Sequence, residues 1–360
     1  MKIVFVISGL SAGGAQRSLV TVCQKLAEVP SNNIFVATWV KTEDKYTISS
    51  NTHLINLCRP IPVRNSKLEY LISIWRLRQS LMKIKPECVI AVQCNMFPRV
   101  LMATLFNKAK LLVWEHTSMS RIMDQEGTIA RKFLYKLADG VIVLTNKDAN
   151  IVEGRYKRVF VMPNPLPFPV VNYECERSNL VIAIGRLDVW YIKGFDRLIT
   201  IWSKVNESNP SWKLYLVGEG DTKSTKYIKD EIARYGLENC LVLTGYRNDI
   251  PELLQKAKIF VLTSRVEGFP MSLIEAMSQG CVGVSFSVGQ AIEDIINNGE
   301  DGIIVKDGDC DAFSESLIKL MSDESRIQKM SATGRTNIKR FEDPIIIDKW
   351  NKMLNEVLYE

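Results

Sequence analysis

The fold of this protein is decided by a stretch that reads IFVLTSRVEGFPMSLIEAM from Ile259 to Met277. Its first four residues are apolar without alternation, which is typical of a strand buried on both faces of a parallel sheet. Gly268 and Pro270 then break the chain, and an apolar helical pattern follows. A strand that leads through a loop into a helix is the repeating unit of a parallel α/β sheet.

The same unit recurs along the whole chain in two sets. We predict strands at 2–7, 34–40, 87–92, 110–114 and 139–144, and then at 179–185, 212–217, 240–244, 258–263, 281–286 and 302–305. Four prolines between Pro163 and Pro169 cannot continue a helix or a central strand, so we interpret this segment as the interdomain linker. We therefore expect an α/β fold with two Rossmann-like domains facing across a cleft. Their predicted bounds are 1–165, completed by a C-terminal helix 343–360, and 178–342.

Composition narrows the class of protein. The chain has 360 residues, of which 46% are hydrophobic and 24% charged, as in ordinary globular proteins. A net charge of +6, without a nucleic-acid-binding motif, does not indicate a nucleic-acid partner. No apolar run approaches the roughly 20 residues needed to span a bilayer. We expect a cytoplasmic protein that can touch the inner face of the cell membrane.

The cysteines are scattered without CxxC pairs, and no secretory signal precedes them. Buried, reduced thiols are therefore a better interpretation than a disulfide framework. The cysteines are Cys23, Cys58, Cys88, Cys94, Cys175, Cys240, Cys281 and Cys310.

The loop from Ser8 to Gln16 follows the first predicted strand and is rich in glycine. Gly13 and Gly14 would let backbone amides approach an anion at the N-terminus of the next helix. The spacing is not GxGxxG, so an NAD enzyme is disfavoured. A plain glycine-rich turn is the alternative.

Glu267 and Glu275 place two carboxylates on either side of a predicted helix N-terminus. Free amides around Met271–Leu273 would face an anion such as a diphosphate, and the glutamates would accept hydrogen bonds from neighbouring hydroxyl groups. The alternative is that Ser272 and Glu275 form a capping box, which would leave Glu267 unexplained.

Cations follow another predicted strand, where Gly185-Arg186-Leu187 precedes Lys193-Gly194. Arginine can clamp a phosphate through two hydrogen bonds, and lysine acts as a point charge. Both could instead form weak surface ion pairs. His116 lies just past the predicted strand 110–114, although a lone histidine is more often structural than catalytic.

Asp307-Gly308-Asp309 has the form of a metal-binding DxD motif. It precedes a predicted helix, Ala312–Met321, so we interpret Asp309 or Asp311 as the N-cap of that helix. We predict no metal site.

Residues 64–85 form a predicted basic amphipathic helix that could lie against anionic lipid. The alternative is an ordinary packed helix with a solvated basic face. Its basic residues are Arg64, Lys67, Arg76, Arg78, Lys83 and Lys85, and its apolar residues at helical spacing are Leu68, Leu71, Ile72, Trp75 and Met82.

Taken together, these motifs resemble the retaining glycosyltransferases of the GT-B fold, specifically the family 4 (group 1) type, over nearly the whole chain. The most specific element is E-x7-E, from Glu267 to Glu275. The resemblance implies that Glu267 contacts the donor sugar and Glu275 the ribose of the nucleotide. It implies that Arg186 and Lys193 hold the donor diphosphate, and that His116 lies near the reacting sugar.

The resemblance also implies a full set of site residues. The catalytic ones are His116, Arg186, Lys193 and Glu267. The donor-binding ones are Gly14, Gly185, Arg186, Lys193, Tyr246, Arg247, Glu267, Gly268, Phe269, Pro270, Met271, Ser272, Leu273 and Glu275. The acceptor-binding ones are Gly13, Gly14, Arg17 and His116. Two departures are a longer spacing from Arg186 to Lys193 and Gln16 where glutamate is common.

The reaction implied is a metal-independent, retaining transfer of a hexose or N-acetylhexosamine, with a UDP-sugar as the expected donor. The acceptor implied is a glycan or a lipid-diphosphate-linked precursor of a bacterial surface polysaccharide such as O-antigen. The alternatives are a UDP-sugar 2-epimerase of the same fold and a non-catalytic partner subunit of a glycosyltransferase complex.

Overall fold

The structure, a computed structural model, describes residues 1–10, 13–39, 48–57, 66–173 and 176–360, without the side chains of Ser66 and Lys67. The chain divides into two compact units, Met1–Pro167 with Asp343–Glu360 (unit 1) and Phe168–Glu342 (unit 2). The predicted cysteines Cys58 and Cys175 and the side chains of Arg64 and Lys67 lie outside the described residues.

Unit 1 contains a seven-stranded parallel sheet in the order β3-β2-β1-β4-β5-β6-β7. Its strands are β1 Lys2–Ile7, β2 Asn33–Thr38, β3 Thr52–Asn56, β4 Cys88–Val92, β5 Lys110–Trp114, β6 Gly140–Val143 and β7 Val159–Val161. Its helices before the linker are α1 Gly14–Ala27, α2 Ser66–Ile84, α3 Phe97–Thr104, α4 Gln125–Lys132 and α5 Asn146–Ile151. The strand order reverses direction between β1 and β4.

Unit 2 contains a six-stranded parallel sheet in the order β10-β9-β8-β11-β12-β13. Its strands are β8 Ser178–Ile184, β9 Lys213–Val217, β10 Leu241–Gly245, β11 Ala257–Leu262, β12 Val282–Phe286 and β13 Gly302–Val305. Its helices are α6 Trp190–Lys193, α7 Phe195–Ser208, α8 Thr222–Arg234, α9 Ile250–Lys256, α10 Met271–Ser278, α11 Ile292–Ile295, α12 Cys310–Met321 and α13 Glu324–Asn337. The order reverses between β8 and β11, and in open parallel sheets ligands bind outside the carboxyl ends of strands at such a reversal.

The last helix, α14 Asp343–Tyr359, completes unit 1 and ends one residue before the predicted bound of 360. Its Trp350 is fully buried. The ring centroid of Trp350 lies 6.0 Å from the ring centroid of Phe5 in β1 and 4.7 Å from that of Trp114 in β5. This helix therefore covers the same face of the sheet as α1, which it also contacts.

The described cysteines are free thiols, and all but the half-buried Cys310 are buried. Burial raises the pKa of the Cys281 thiol to about 12 and that of Cys94 to about 11, so both stay protonated at neutral pH. These thiols agree with the predicted buried, reduced cysteines. Among the described helices, none has the length and apolar character needed to cross a bilayer.

Candidate active site

Most of the predicted site residues of unit 2 follow the two strands at which the sheet order reverses. Lys193 follows β8, and Glu267 follows β11, which is hydrogen-bonded to β8. The Lys193 Nζ atom lies 2.8 Å from Oε1 of Glu267, and the hydroxyl of the buried Ser264 donates to the same oxygen at 2.7 Å. The pair is partly enclosed, since the Lys193 side chain is 27% exposed and that of Glu267 10%.

The longer spacing between Arg186 and Lys193 is taken up by local helical structure. The additional residues fold into a 3-10 turn, Leu187–Val189, and the short helix α6. Gly194 ends α6 in the left-handed region with φ of 66°, and its absent Cβ would lie 1.9 Å from the carbonyl oxygen of Thr263. The Thr263 hydroxyl donates to the Gly194 carbonyl at 3.0 Å, so the chain after β11 holds the end of α6 directly.

Arg265 fixes α6 from the other side, a role that the sequence did not reveal. Its amide donates to the Ile192 carbonyl at 2.7 Å, and its guanidinium makes a two-point ion pair with Asp196 at 2.8 and 2.7 Å. The guanidinium also lies 3.9 Å from the ring centroid of Tyr191. A bidentate arginine pair of this kind is geometrically specific, so it fixes the start of α7. The Arg265 amide holds the end of α6, which carries Lys193.

The helix that follows Glu267 begins at Met271, with Pro270 at the N-cap and no side-chain cap. The capping-box alternative is therefore wrong, because Ser272 lies inside the first turn rather than at the N-cap. The amides of Leu273 and Ile274 both donate to the Pro270 carbonyl, at 3.1 and 3.4 Å. This corrects the prediction of a free Leu273 amide and leaves the amides of Met271 and Ser272 at the helix N-terminus without an intrahelical acceptor.

Around this turn, Glu275 is 3% exposed, and Phe269 packs edge-on against Phe341 with ring centroids 5.5 Å apart. Gly289, which sequence reasoning missed, approaches from the loop after β12. Its φ is +69°, and a Cβ there would lie 2.5 Å from the Glu267 carbonyl oxygen. Only glycine allows this loop to pack so close to Glu267.

Arg186 does not join the Lys193–Glu267 pair. Its side chain is 59% exposed, and its Nε atom donates to Oδ1 of Asp188 at 3.0 Å, which lowers the pKa of that carboxyl. Tyr246 and Arg247 follow β10, the edge strand of the sheet, and Arg247 pairs with Asp249 in the same way at 2.8 Å. These residues therefore stand apart from the enclosed pair.

In unit 1, His116 follows β5 and rests against Trp114, with ring centroids 4.4 Å apart. Its Nε2 atom is buried and has no hydrogen-bond partner in the described part of the chain. Burial lowers the pKa of His116 to about 3, so the imidazole is neutral at physiological pH. A buried polar atom without a partner costs free energy, which a ligand hydroxyl could offset.

The His116 loop is held by buried carboxylates that the sequence did not single out. Glu115 is 1% exposed and accepts from the Thr117 amide at 3.0 Å, the Tyr135 hydroxyl at 2.9 Å and Nε of Arg131 at 3.2 Å. Arg131 in turn donates to the backbone carbonyls of residues 117, 118 and 121. Asp148, also buried, accepts from the amide of residue 119 at 2.7 Å.

The glycine-rich loop leads into α1, which begins at Gly14 with Gly13 as its N-cap in an extended conformation. The Arg17 amide donates to the Gly13 carbonyl at 3.0 Å. The Gln16 side chain folds over Gly13 and occupies the space of a Gly13 side chain. A Cβ on Gly13 would lie 2.4 Å from Oε1 of Gln16. Gln16, which stands where the resemblance leads one to expect glutamate, therefore covers this turn. Ser11 and Ala12 of the loop lie outside the described residues.

The DxD-like stretch caps a helix, as predicted. Asp309 accepts from the Ala312 amide at 3.0 Å, and Asp307 pairs with Arg197 at 2.8 Å. In the portion of the chain that is described, no group of three or more His, Cys, Asp or Glu residues is placed to hold a metal ion.

Comparison with known proteins agrees with this architecture. Residues 166–337 match the family described as "Glycosyl transferases group 1". The chain is 27% identical over 98% of its length to the amylovoran biosynthesis glycosyltransferase AmsD of Erwinia amylovora, of which it covers 99%. It is 26% identical, over 99% of both chains, to an α-1,4-N-acetyl-D-galactosaminyltransferase of Campylobacter jejuni, whose name specifies an undecaprenol-diphosphate-linked glycan.

Solved structures share the fold over the whole chain. Anabaena HepE in complex with UDP and glucose superposes with a TM-score of 0.84 at 18% identity, over 99% of this chain and all of that one. Staphylococcus aureus TarM superposes with a TM-score of 0.80 at 15% identity, over the full length of both chains. The two parallel-sheet units with the returning C-terminal helix thus define a protein of the GT-B fold.

The family match in unit 2 and the full-length relatives then identify the activity. The chain is a glycosyltransferase, an enzyme that transfers a sugar from a nucleotide-sugar donor.

Proposed function

We propose that this enzyme is a retaining, metal-independent hexosyl- or N-acetylhexosaminyltransferase of the family 4 type that uses a UDP-sugar. The observation that carries the proposal is the enclosed Lys193–Glu267 pair at the sheet reversal of unit 2, beside the N-terminus of α10. A cation, two amides without an intrahelical acceptor and a carboxylate at one place suit a diphosphate that is joined to a sugar.

Charge stabilisation of the leaving group follows from this arrangement. Lys193 and the amides of Met271 and Ser272 would bind the diphosphate, on which negative charge grows as the bond to the anomeric carbon breaks. These groups can replace a divalent cation at that position. Arg186 would add a second cation by exchanging Asp188 for a phosphate oxygen.

The carboxylates orient the donor in this scheme. Glu267 would accept hydrogen bonds from donor sugar hydroxyls while Lys193 neutralises it, and the buried Glu275 would accept from the ribose. The acceptor hydroxyl would attack the anomeric carbon on the face that the diphosphate leaves. Its proton would pass to the departing phosphate oxygen, so that the new glycosidic bond retains the anomeric configuration.

His116 acts as a positioning group in this proposal. Its neutral imidazole, with a pKa of about 3, cannot serve as a general base or acid near pH 7. Its unpartnered Nε2 atom would instead exchange a hydrogen bond with the donor sugar. Gly13, Gly14 and Arg17 would contact the acceptor.

The relatives support the donor and the acceptor class. HepE was crystallised with UDP and glucose, and the Campylobacter relative acts on a glycan attached to an undecaprenol diphosphate. We propose that the acceptor here is a lipid-diphosphate-linked oligosaccharide or polysaccharide precursor in bacterial surface glycan synthesis, O-antigen included. No nucleic acid takes part.

Such an acceptor places the enzyme on the cytoplasmic face of the membrane, and α2 offers a contact. Leu68, Leu71, Trp75 and Met82 form an exposed apolar stripe on α2, with exposures from 47% to 60%. Two of the predicted cations are used within the protein, since Arg76 and Arg78 donate to backbone carbonyls. The stripe and the remaining lysines would rest on anionic lipid.

A thermal-shift experiment tests the proposal. UDP, GDP and ADP are added in EDTA to the wild type, to Glu275→Gln at the ribose position and to Glu238→Gln, an exposed control. We expect UDP alone to stabilise the wild type and the control, and Glu275→Gln to lose most of the shift. A shift that requires a divalent cation, or no shift with any nucleotide, would contradict the proposal. Release of a free epimerised sugar from UDP-sugar would point to the 2-epimerase.

A further inference from the structure

A second exposed apolar surface of unit 1 is formed by α4, the loop before it and the 3-10 turn Leu134–Leu137 after it; we name it the α4 face. Its projecting side chains are 94%, 44%, 56% and 59% exposed, at spacings of seven, four and four residues. They are Ile122, Ile129, Phe133 and Leu137. They follow one another along one short segment, with Ile129 in α4, Phe133 at its C-cap and Leu137 in the turn after it. We refer to these four side chains as the stripe.

The α4 face does not need these side chains to fold. The inward side of the same segment is anchored in the core of unit 1 by the fully buried Ala130, Tyr135 and Ala138. Tyr135 packs edge-on against Phe97, with centroids 5.1 Å apart, and donates its hydroxyl to Glu115. Four large apolar side chains therefore project from an element that is already packed, which is unusual for a surface that meets only water.

Beside the stripe lies a basic cavity of about 710 Å³, whose cations are Arg121, Arg131, Lys132, Lys136 and Arg155. Arg131 is engaged with Glu115. The other four form no ion pair with any carboxylate of the described residues, in contrast to most arginines around the donor site. Of the carboxylates close to these cations in sequence, Asp124 is occupied as the N-cap of α4, and Glu126 and Glu153 are exposed.

We propose that the α4 face docks onto an anionic bilayer, with its apolar side chains in the interfacial region and a lipid phosphate headgroup in the basic cavity. Charge complementarity selects this occupant: aliphatic and aromatic side chains flanked by unpaired cations match an anionic membrane surface. The inference rests on the proposed function, because a lipid-linked acceptor requires the enzyme at that surface. It adds a second contact element to α2.

The docking surface and the catalytic loop share one scaffold. The wall of the cavity includes Met119 and Met123, in the segment that continues from His116. Arg131 binds this wall from the cavity side through the backbone carbonyls of residues 118 and 121. A lipid headgroup in the cavity would therefore lie against the same loop that carries His116, where a lipid-linked acceptor has to arrive.

The test is sedimentation with vesicles of phosphatidylglycerol and phosphatidylcholine, using the full chain. Lys132→Gln/Lys136→Gln should weaken partitioning roughly thirtyfold, at about fivefold for each cation lost near an anionic surface. Ile122→Ser/Phe133→Ser should also weaken it. The matched control, Lys226→Gln/Lys229→Gln, removes two exposed charges from α8 of unit 2 and should change partitioning less than twofold.

Two further arms make the outcome decisive. Leu71→Ser/Trp75→Ser removes the apolar stripe of α2. If only this variant loses binding and both α4-face variants partition like the wild type, the α4 face is not a docking surface. Equal binding of the wild type to pure phosphatidylcholine would also overturn the proposal. The UDP thermal shift of each variant is measured in parallel, since it should persist whether or not vesicles bind, and its absence from the wild type would indicate failure of the proposed function instead.

Discussion

Substitution of Gly194 by alanine tests how Lys193 is positioned. A non-glycine residue in the left-handed region costs about 1–2 kcal/mol. The added methyl group would also meet the Thr263 carbonyl oxygen at 1.9 Å, so the chain after β11 and the end of α6 must separate by more than 1 Å. Overpacking of this kind costs about 1–3 kcal/mol, which gives a total loss of roughly 3 kcal/mol.

Gly236 provides a matched control in the same unit. Its φ is also +66°, but a Cβ there would have no neighbour within 4 Å. Gly236→Ala should therefore lower the free energy of unfolding only by the cost of placing alanine in the left-handed region, about 1–2 kcal/mol. The difference between the two variants isolates the contact with Thr263.

Urea denaturation gives the two free energies of unfolding, and calorimetry gives the affinity for UDP. Because Gly194→Ala moves Lys193 away from Glu267, we expect its UDP affinity to fall roughly tenfold, as for loss of a charged hydrogen bond. Gly236→Ala should bind UDP like the wild type. The reasoning is refuted if the two stabilities agree within about 0.5 kcal/mol, the usual scatter of surface substitutions, or if UDP affinity is unchanged in Gly194→Ala.

Three further predictions concern Glu267 in unit 2 and His116 and Arg131 in unit 1. Glu267→Gln should bind UDP within a few-fold of wild type but lose the additional affinity that the wild type has for a UDP-sugar. Calorimetry measures both affinities. A variant that still binds the UDP-sugar more tightly than UDP would contradict this prediction. The native state resists protonation of His116 until pH about 3, whereas the unfolded chain binds that proton near pH 6.5. The free energy of unfolding of the wild type should therefore fall as the pH decreases below about 6.5. Its slope should exceed that of His116→Gln by up to about 1.4 kcal/mol per pH unit. Parallel plots of unfolding free energy against pH for the two proteins would refute this prediction. Arg131→Met leaves Glu115 as a buried charge without its cation and should lower the free energy of unfolding in denaturant by about 3–5 kcal/mol. The double variant Arg131→Met/Glu115→Gln should recover part of this loss. No recovery would mean that the buried charge is not the cause.

The central strands could be predicted to within two residues, because a strand buried on both faces must be apolar at every position. Two strands at the edges of the first sheet were missed. β3, Thr52–Asn56, is largely exposed and carries polar residues, and β7, Val159–Val161, has only three residues before the prolines. Edge strands need less apolar sequence, so their pattern is weaker than that of central strands.

The position of Glu267 in the loop between β11 and α10 could be predicted, because all three lie within one strand-loop-helix unit. The residues that fix this geometry could not, since they act between elements far apart in sequence. Gly289 approaches Glu267 from the loop after the next strand, and Arg265 holds the start of α7 through Asp196, 69 positions earlier. Glu115 stands next to a predicted residue, but its burial depends on Arg131 and on a tyrosine hydroxyl.

The return of α14 to unit 1 has a consequence for the order of events during synthesis. Unit 2, residues 168–342, is one uninterrupted stretch, so it can fold as soon as it leaves the ribosome. The sheet of unit 1 precedes unit 2 in the chain, but Phe5 and Trp114 stay uncovered until Trp350 is added. Trp114 contacts both Trp350 and the imidazole ring of His116. Unit 2 can thus be complete before the support behind His116 is closed, because α14, which supplies Trp350, follows unit 2 in the chain.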